Sequence, residues 1–228
     1  MQLSTMQQRC SQDHLARSAD ALPEPVLLVH GLWTSRAIML YLSRALAGRG
    51  FAPRAIGYYS TLDEFEHNAA RLARAIAECV GDRIHIVAHS LGGLVALRAL
   101  ARRPDARVRR IVLLGSPLTG CHSGRKLARM RFFAPLLGTT RSLWVDMPQL
   151  DIPAGVEAGA IAGTRRVGLG SLVLRLPGPS DGAVLVEETH HPRLVDHVLM
   201  PVAHSEMLVS RAVATQVAAF LGTGRFAA

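Results

Sequence analysis

The stretch RIHIVAHSLGG, residues 83–93, decides how the rest of the chain is read. RIHIVAH is an apolar run that suits a strand covered on both faces. Ser90-Leu91-Gly92-Gly93 follows at once, and then a helical run to Arg102. A serine between strand and helix, with Ala88 two residues before it and Gly92 two after, has the pattern of a nucleophile elbow. The turn forces the serine into a strained backbone conformation, so its neighbours at those two positions must be small. Ala88 stands where glycine is commoner, a departure the steric argument tolerates. The N-terminal dipole of the following helix faces the serine. The plainer reading of the same residues is a Ser N-cap on a Gly-rich helix start.

Working outward, PVLLVHG (25–31), APRAIGY (52–58) and RRIVLLGSP (109–117) read as further strands. GAIAG (159–163), LVLRL (172–176) and LVDHVLMPVA (194–203) continue the series. Between them, helices are predicted over 36–48, closed by Gly48 and Gly50, and over 62–80, with Phe65, Ala69, Leu72, Ile76 and Val80 on one stripe. Leu208, Ala212, Val213, Val217, Phe220 and Leu221 form the stripe of a closing helix. The alternation predicts an α/β fold, a mostly parallel sheet flanked by helices, with ligands at the carboxyl ends of the strands. Residues 1–24 read as a weakly ordered leader and 25–228 as one domain, in which 118–150 interrupt the alternation after the fourth recognisable strand.

Composition narrows the function classes. The chain has 228 residues, 49% of them hydrophobic and 19% charged, which excludes general disorder. Cys10, Cys79 and Cys121 show no CxxC and no disulfide pattern. There is no apolar run of about 18 residues for a membrane span. The N-terminus lacks the apolar core of a signal peptide, so a cytoplasmic location is expected. The net charge of +9 comes from arginine, Lys126 being the one lysine among 26 basic residues. Such charge favours loose contact with anionic surfaces. With 5% aromatic residues there is no stacking platform, and no specific nucleic-acid partner is expected.

A second strand end carries chemistry. In LLVHGLW (27–33) a His-Gly turn follows the first buried strand, which would aim the Leu32 N–H at the same point as the Leu91 N–H. Two such donors stabilise a developing oxyanion. Taken together, VLLVHGLW, HIVAHSLGGLVAL, VLLGSPLTG, the Asp-Gly-Ala-Val at 181–184 and VAHSEML (202–208) resemble the α/β-hydrolases, in particular small bacterial esterases and minimal lipases. The resemblance runs from about residue 25 to the C-terminus. It implies ester hydrolysis through an acyl-enzyme, without metal or organic cofactor.

In that fold the catalytic order is serine, acid, histidine. Among the histidines after Ser90, His204 follows the last predicted strand and precedes the closing helix, where the resemblance also places the base. Asp181, in the tight PGPSDGAV loop with room for one strand before His204, is the leading acid; Asp151 is the runner-up. A β-turn Asp-Gly would account for Asp181 without any catalytic role. Trp33 and His89 are expected to contact substrate. His190, His191 and His197, beside Glu187, Glu188 and Asp196, fit no metal-ligand spacing and read as a solvated loop.

The insert holds Arg125, Lys126, Arg129 and Arg131 among Leu127, Met130, Phe132, Phe133, Leu136 and Leu137. It reads either as a basic amphipathic helix that covers the acyl pocket or touches an anionic lipid surface, or as an ordinary surface helix. The expected activity is cleavage of small-molecule or lipid carboxylic esters. Acyl transfer or thioester cleavage would use the same residues, and a non-catalytic scaffold would need none of them.

Overall fold

The computed structural model describes residues 23–167 and 176–228. Six strands, β1 (Glu24–Val29), β2 (Phe51–Ile56), β3 (Ile84–His89), β4 (Val108–Leu114), β5 (Glu157–Gly163) and β6 (Asp196–Met200), form one sheet in the order β2-β1-β3-β4-β5-β6. Every pairing is parallel. The continuous apolar runs are the reason: β1 and β3 are central and buried on both faces, so alternation has no solvent side to follow. At the edge, β2 accommodates Pro53, whose missing N–H costs an outer strand little.

The helices are α1 (Leu40–Ala47), α2 (Phe65–Ala77), α3 (Leu91–Arg102), α4 (His122–Arg129), α5 (Arg141–Val145) and α6 (Arg211–Thr223). Alternate side chains of each strand serve different layers. Leu27 and Val29 join α2, α3 and the insert in one core, whereas Val26 and Leu28 join α1 and α6 in the other. The chain leaves β1 for β2 on one side and β3 lies on the other. The carboxyl ends of β1 and β3 therefore flank a topological switch point, where such sheets bind ligands.

Three expectations change. The helix predicted over 62–80 ends at Ala77, and Val80 is exposed rather than part of its stripe. The basic insert is not one amphipathic helix. α4 stops at Arg129, Met130 turns extended, a 3-10 stretch runs over Ala134–Thr140 and α5 follows. Pro135 opens the 3-10 stretch, and Gly138 breaks it with φ 54°, at a place where a Cβ would lie 2.0 Å from the Thr61 carbonyl oxygen. Of the leader, residues 1–22 lie outside the described residues and Glu24 already opens β1. The strand expected over 172–176 also lies outside them, except for Leu176.

Candidate active site

Ser90 stands between β3 and α3 with φ 55° and ψ −126°. Among the described non-glycine residues, only Ser90 and Trp33 have a positive φ. The reversal leaves no room for bulk. A Cβ on Gly92 would lie 2.4 Å from the His30 carbonyl oxygen, and one on Gly93 would lie 2.2 Å from Ser116 Oγ. These two glycines let α3 close on the turn after β1 and on the loop after β4. The turn after β1 touches the elbow itself, since a Cβ on Gly31 would stand 3.0 Å from the Ser90 Cβ.

One strand over, Asp181 and His204 form a pair. His204 Nδ1–H donates to Asp181 Oδ2 at 2.7 Å, which leaves Nε2 free to act as a base. Asp181 is 1% exposed, and its Oδ1 accepts the N–H groups of Ala183 (2.9 Å) and Val184 (2.8 Å). Burial works to raise the Asp181 pKa, but the charge and hydrogen bond of His204 and the two backbone donors hold it below its ordinary value. The backbone agrees with the side chains, because the His204 N–H donates to the Asp181 carbonyl oxygen at 2.9 Å.

Gly115, at the end of β4, brings this pair to the serine. The Ser90 N–H bonds to the Leu114 carbonyl oxygen at 2.9 Å. The next residue, Gly115, has φ 53°, and a Cβ there would stand 2.9 Å from Asp181 Oδ2 and 3.1 Å from His204 Nδ1. The structure thus joins Asp181 to His204 directly, and Ser90 is tied through its N–H to the strand end against which that pair lies. The serine hydroxyl makes no hydrogen bond among the described residues, and such contacts are often loose without substrate. The alternative acid, Asp151, pairs instead with Arg193 at 3.2 Å and lies 3.6 Å from His191.

The backbone N–H of Leu91, the first residue of α3, has no helical acceptor because the helix begins there. Leu32 sits in the turn after His30-Gly31. That turn is braced by residues the sequence did not single out. Tyr58 stacks on His30 at 4.2 Å and donates its hydroxyl to the His30 carbonyl oxygen at 2.5 Å, while Thr34 Oγ1 donates to the Gly31 carbonyl oxygen at 2.9 Å.

His89 was expected at the substrate, and the structure corrects this. It is 3% exposed, beneath His204, with ring centroids 4.6 Å apart and its Nε2–H donating to the His204 carbonyl oxygen at 3.0 Å. A strand residue next to Ser90 can face the core because successive strand side chains alternate. Burial, and then the neighbouring His204, push its pKa down to about 3, so it stays neutral. Trp33 is 55% exposed; its indole N–H donates to the Leu136 carbonyl oxygen at 2.7 Å and its backbone N–H to Ser60 Oγ at 3.1 Å.

The polar stretch 187–191 is also not a solvated loop throughout, since Glu188 and Thr189 are buried. His190 stacks on His197 at 3.9 Å, and Thr189 Oγ1 lies 2.8 Å from His197 Nε2. Among the described residues, no three His, Cys, Asp or Glu side chains group as metal ligands. No described helix is long and apolar enough to cross a membrane. A cavity of about 690 Å³ opens beside the insert, lined by Leu118, Arg125, Trp144, Met147, Leu150 and others, but not by Ser90, Asp181 or His204.

Residues 26–223 match the sequence profile of the Alpha/beta hydrolase family. No curated protein sequence matches. Among solved structures, the mature form of a Bacillus licheniformis lipase superposes with a TM-score of 0.72 at 20% identity, covering 91% of this chain and 94% of that one. A metagenomic carboxyl esterase gives 0.63 at 17% identity, over 81% of this chain and 65% of that one. A pyrethroid hydrolase from Sphingobium faniae gives 0.55 at 18% identity, over 88% and 98%. At these identities the likeness is one of fold.

Proposed function

The chain belongs to the alpha/beta hydrolase family, and from that premise we propose that it hydrolyses carboxylic esters through an acyl-enzyme on Ser90. The observation that carries the reading is the buried Asp181–His204 pair, 2.7 Å apart, beside a serine with φ 55° at a strand-to-helix turn. Ser90 Oγ attacks the ester carbonyl carbon as His204 Nε2 takes its proton. Asp181 holds Nδ1–H and stabilises the imidazolium, and its lowered pKa keeps it ionised for that role. The N–H groups of Leu32 and Leu91 bind the oxyanion. His204 then returns the proton to the departing alcohol, and water activated by the same nitrogen releases the acid and frees Ser90.

The rim of the site favours acyl-lipid or medium-chain esters. Leu136, 57% exposed, accepts the Trp33 indole N–H through its carbonyl oxygen, and Phe132, 87% exposed, follows the cationic Arg131 of the insert. An apolar rim edged by positive charge suits esters presented at an anionic lipid surface. The experiment is hydrolysis of p-nitrophenyl esters from acetate to palmitate, with fluorophosphonate labelling of the same preparation. Wild-type protein should turn over and label at Ser90; folded Ser90→Ala should do neither. Labelling without turnover in water, but with turnover when a thiol or alcohol acceptor is added, would convert the reading to acyl transfer. A folded Ser90→Ala protein with wild-type turnover would overturn the nucleophile.

A further inference from the structure

We propose that Glu188 is a positioning residue for the proton-transfer pair: its buried carboxylate ties the loop that carries Asp181 to the first turn of α4, and thereby sets how Asp181 meets His204. The inference rests on the reading of Asp181 as the orienting acid.

Glu188 is 5% exposed. Its two oxygens are used by two different segments. Oε1 accepts the N–H of His122, the first residue of α4, and Oε2 accepts the Leu185 N–H at 2.9 Å. Its own carbonyl oxygen accepts the N–H groups of Leu118 (2.6 Å) and Thr119 (3.2 Å). A parallel tie joins Ser123 Oγ of α4 to the Ala183 carbonyl oxygen.

From Leu185 the path to the acid is short. Ser180 and Leu185 form an antiparallel bridge, the Val186 N–H bonds to the Pro179 carbonyl oxygen at 2.9 Å, and the Asp181 N–H bonds to the Val184 carbonyl oxygen at 3.2 Å. Ala183 and Val184 then donate to Asp181 Oδ1. The loop is a closed unit, with the acid at one end and Glu188 at the other.

The choice of residue is informative. Two N–H groups converge on this side chain from separate segments, and only a group with two acceptor oxygens satisfies both. A glutamine would turn its NH2 toward one of them. A carboxylate here is expensive, since none of the described ion pairs includes it. Burial pushes its pKa up, while the N–H groups of Leu185 and His122 and the charges of His122 and Arg125 oppose the rise. The other ionisable group against it is the Cys121 thiol, itself pushed up to about 12 by burial and by Glu188. A buried carboxylate that costs stability marks a position where the geometry needs both of its oxygens.

α4 is bound by its first turn to the acid loop, so it belongs to the catalytic body.

The test compares Glu188→Gln with Asp181→Asn in the full chain, reading kcat, KM, the pH profile of kcat/KM and Tm. The acid limb of that profile reports the pKa of the free base. Glu188→Gln removes a buried charge together with one acceptor, so Tm should move by only a few degrees. The expected result is kcat down about tenfold at unchanged KM, with the acid limb shifted down by roughly half a unit as the imidazolium loses alignment with Asp181. A purely structural role would lower Tm and leave the limb in place.

If Asp181→Asn loses the rate while Glu188→Gln keeps both kcat and the limb, this inference alone is overturned. If Asp181→Asn keeps the rate, the acid assignment falls and this inference with it. Should the glutamine variant not fold, Glu188→Asp, with both oxygens a methylene short, is read by the same limb; an unmoved limb overturns the proposal.

Discussion

The carboxyl ends of β3, β4 and β5 and the insert rim after β4 are neighbours built by opposite means. At the strand ends, Asp181 and His89 are buried, each pairs with His204, and Gly92, Gly93 and Gly115 leave less than 3 Å for an added methyl group. At the rim, Trp33, Phe132 and Leu136 stand in solvent, and the insert is joined to the body by the Trp33 indole and by Thr139, whose N–H and hydroxyl donate to the carbonyl oxygens of Thr61 and Asp63. Precision resides at the strand ends. Proton transfer tolerates errors well under 1 Å, so its groups are over-determined by packing. Holding an acyl chain needs only apolar surface, which can be assembled loosely and can shift.

The largest effect is expected from Asp181→Asn. It keeps the shape but leaves His204 without its anionic partner, and kcat should fall by about 10⁴ where such pairs operate. A pH measurement accompanies it. The folded Asp181 pKa is depressed, so its contribution to stability is present above its ordinary value of 3.8 and is lost as pH falls through the depressed folded value. The Asn variant should lack that component of acid unfolding. Unaltered kcat would mean that the strand ends are over-determined for some other purpose.

Gly115→Ala probes packing rather than charge. The new Cβ would meet Asp181 Oδ2 at 2.9 Å, on a residue with φ 53°. Displacing the pair by even part of an ångström should cost kcat on the order of 10²-fold, with a stability loss of about 1 kcal/mol or more from the backbone strain. Circular dichroism and thermal melts separate the two effects. Wild-type rates from a folded alanine variant would show that the strand ends accommodate volume as the rim does.

The smallest effect is expected at the rim. Trp33→Phe keeps an aromatic ring but removes the donor to Leu136. On a short soluble ester, kcat should stay within about twofold, because an exposed hydrogen bond contributes little net energy. On emulsified ester the rate should change more, and high salt should weaken the preference for an anionic surface. A loss as large as that of Gly115→Ala would place Trp33 inside the catalytic body.

Much of this site was legible before any fold was known, for local reasons. The HSLGG turn fails sterically with any bulky neighbour, so its chemistry is written in consecutive residues. The separation of Asp181 from His204 left room for one strand, which is β6. Reading the insert as one helix failed because Leu127, Met130 and Leu137 keep helical spacing although the helix ends at Arg129, Met130 is extended and Pro135 lies between them. His89 was misplaced because adjacency to a nucleophile says nothing about which face of the strand a side chain takes. Glu188 gave no local signal at all, since a carboxylate in a polar stretch reads as solvated.

The strands and the elbow follow from periodicity and sterics within short windows, whereas the order of serine, acid and base is what the family resemblance implies. Tertiary structure decided which polar groups are buried and what they meet: Asp181 rather than Asp151 against His204, His89 beneath it, Glu188 between α4 and the acid loop. Such pairings join residues tens to over a hundred positions apart. A charged side chain is stable in the interior only where distant backbone donors converge on it, and that convergence exists only once the sheet has brought the strand ends together.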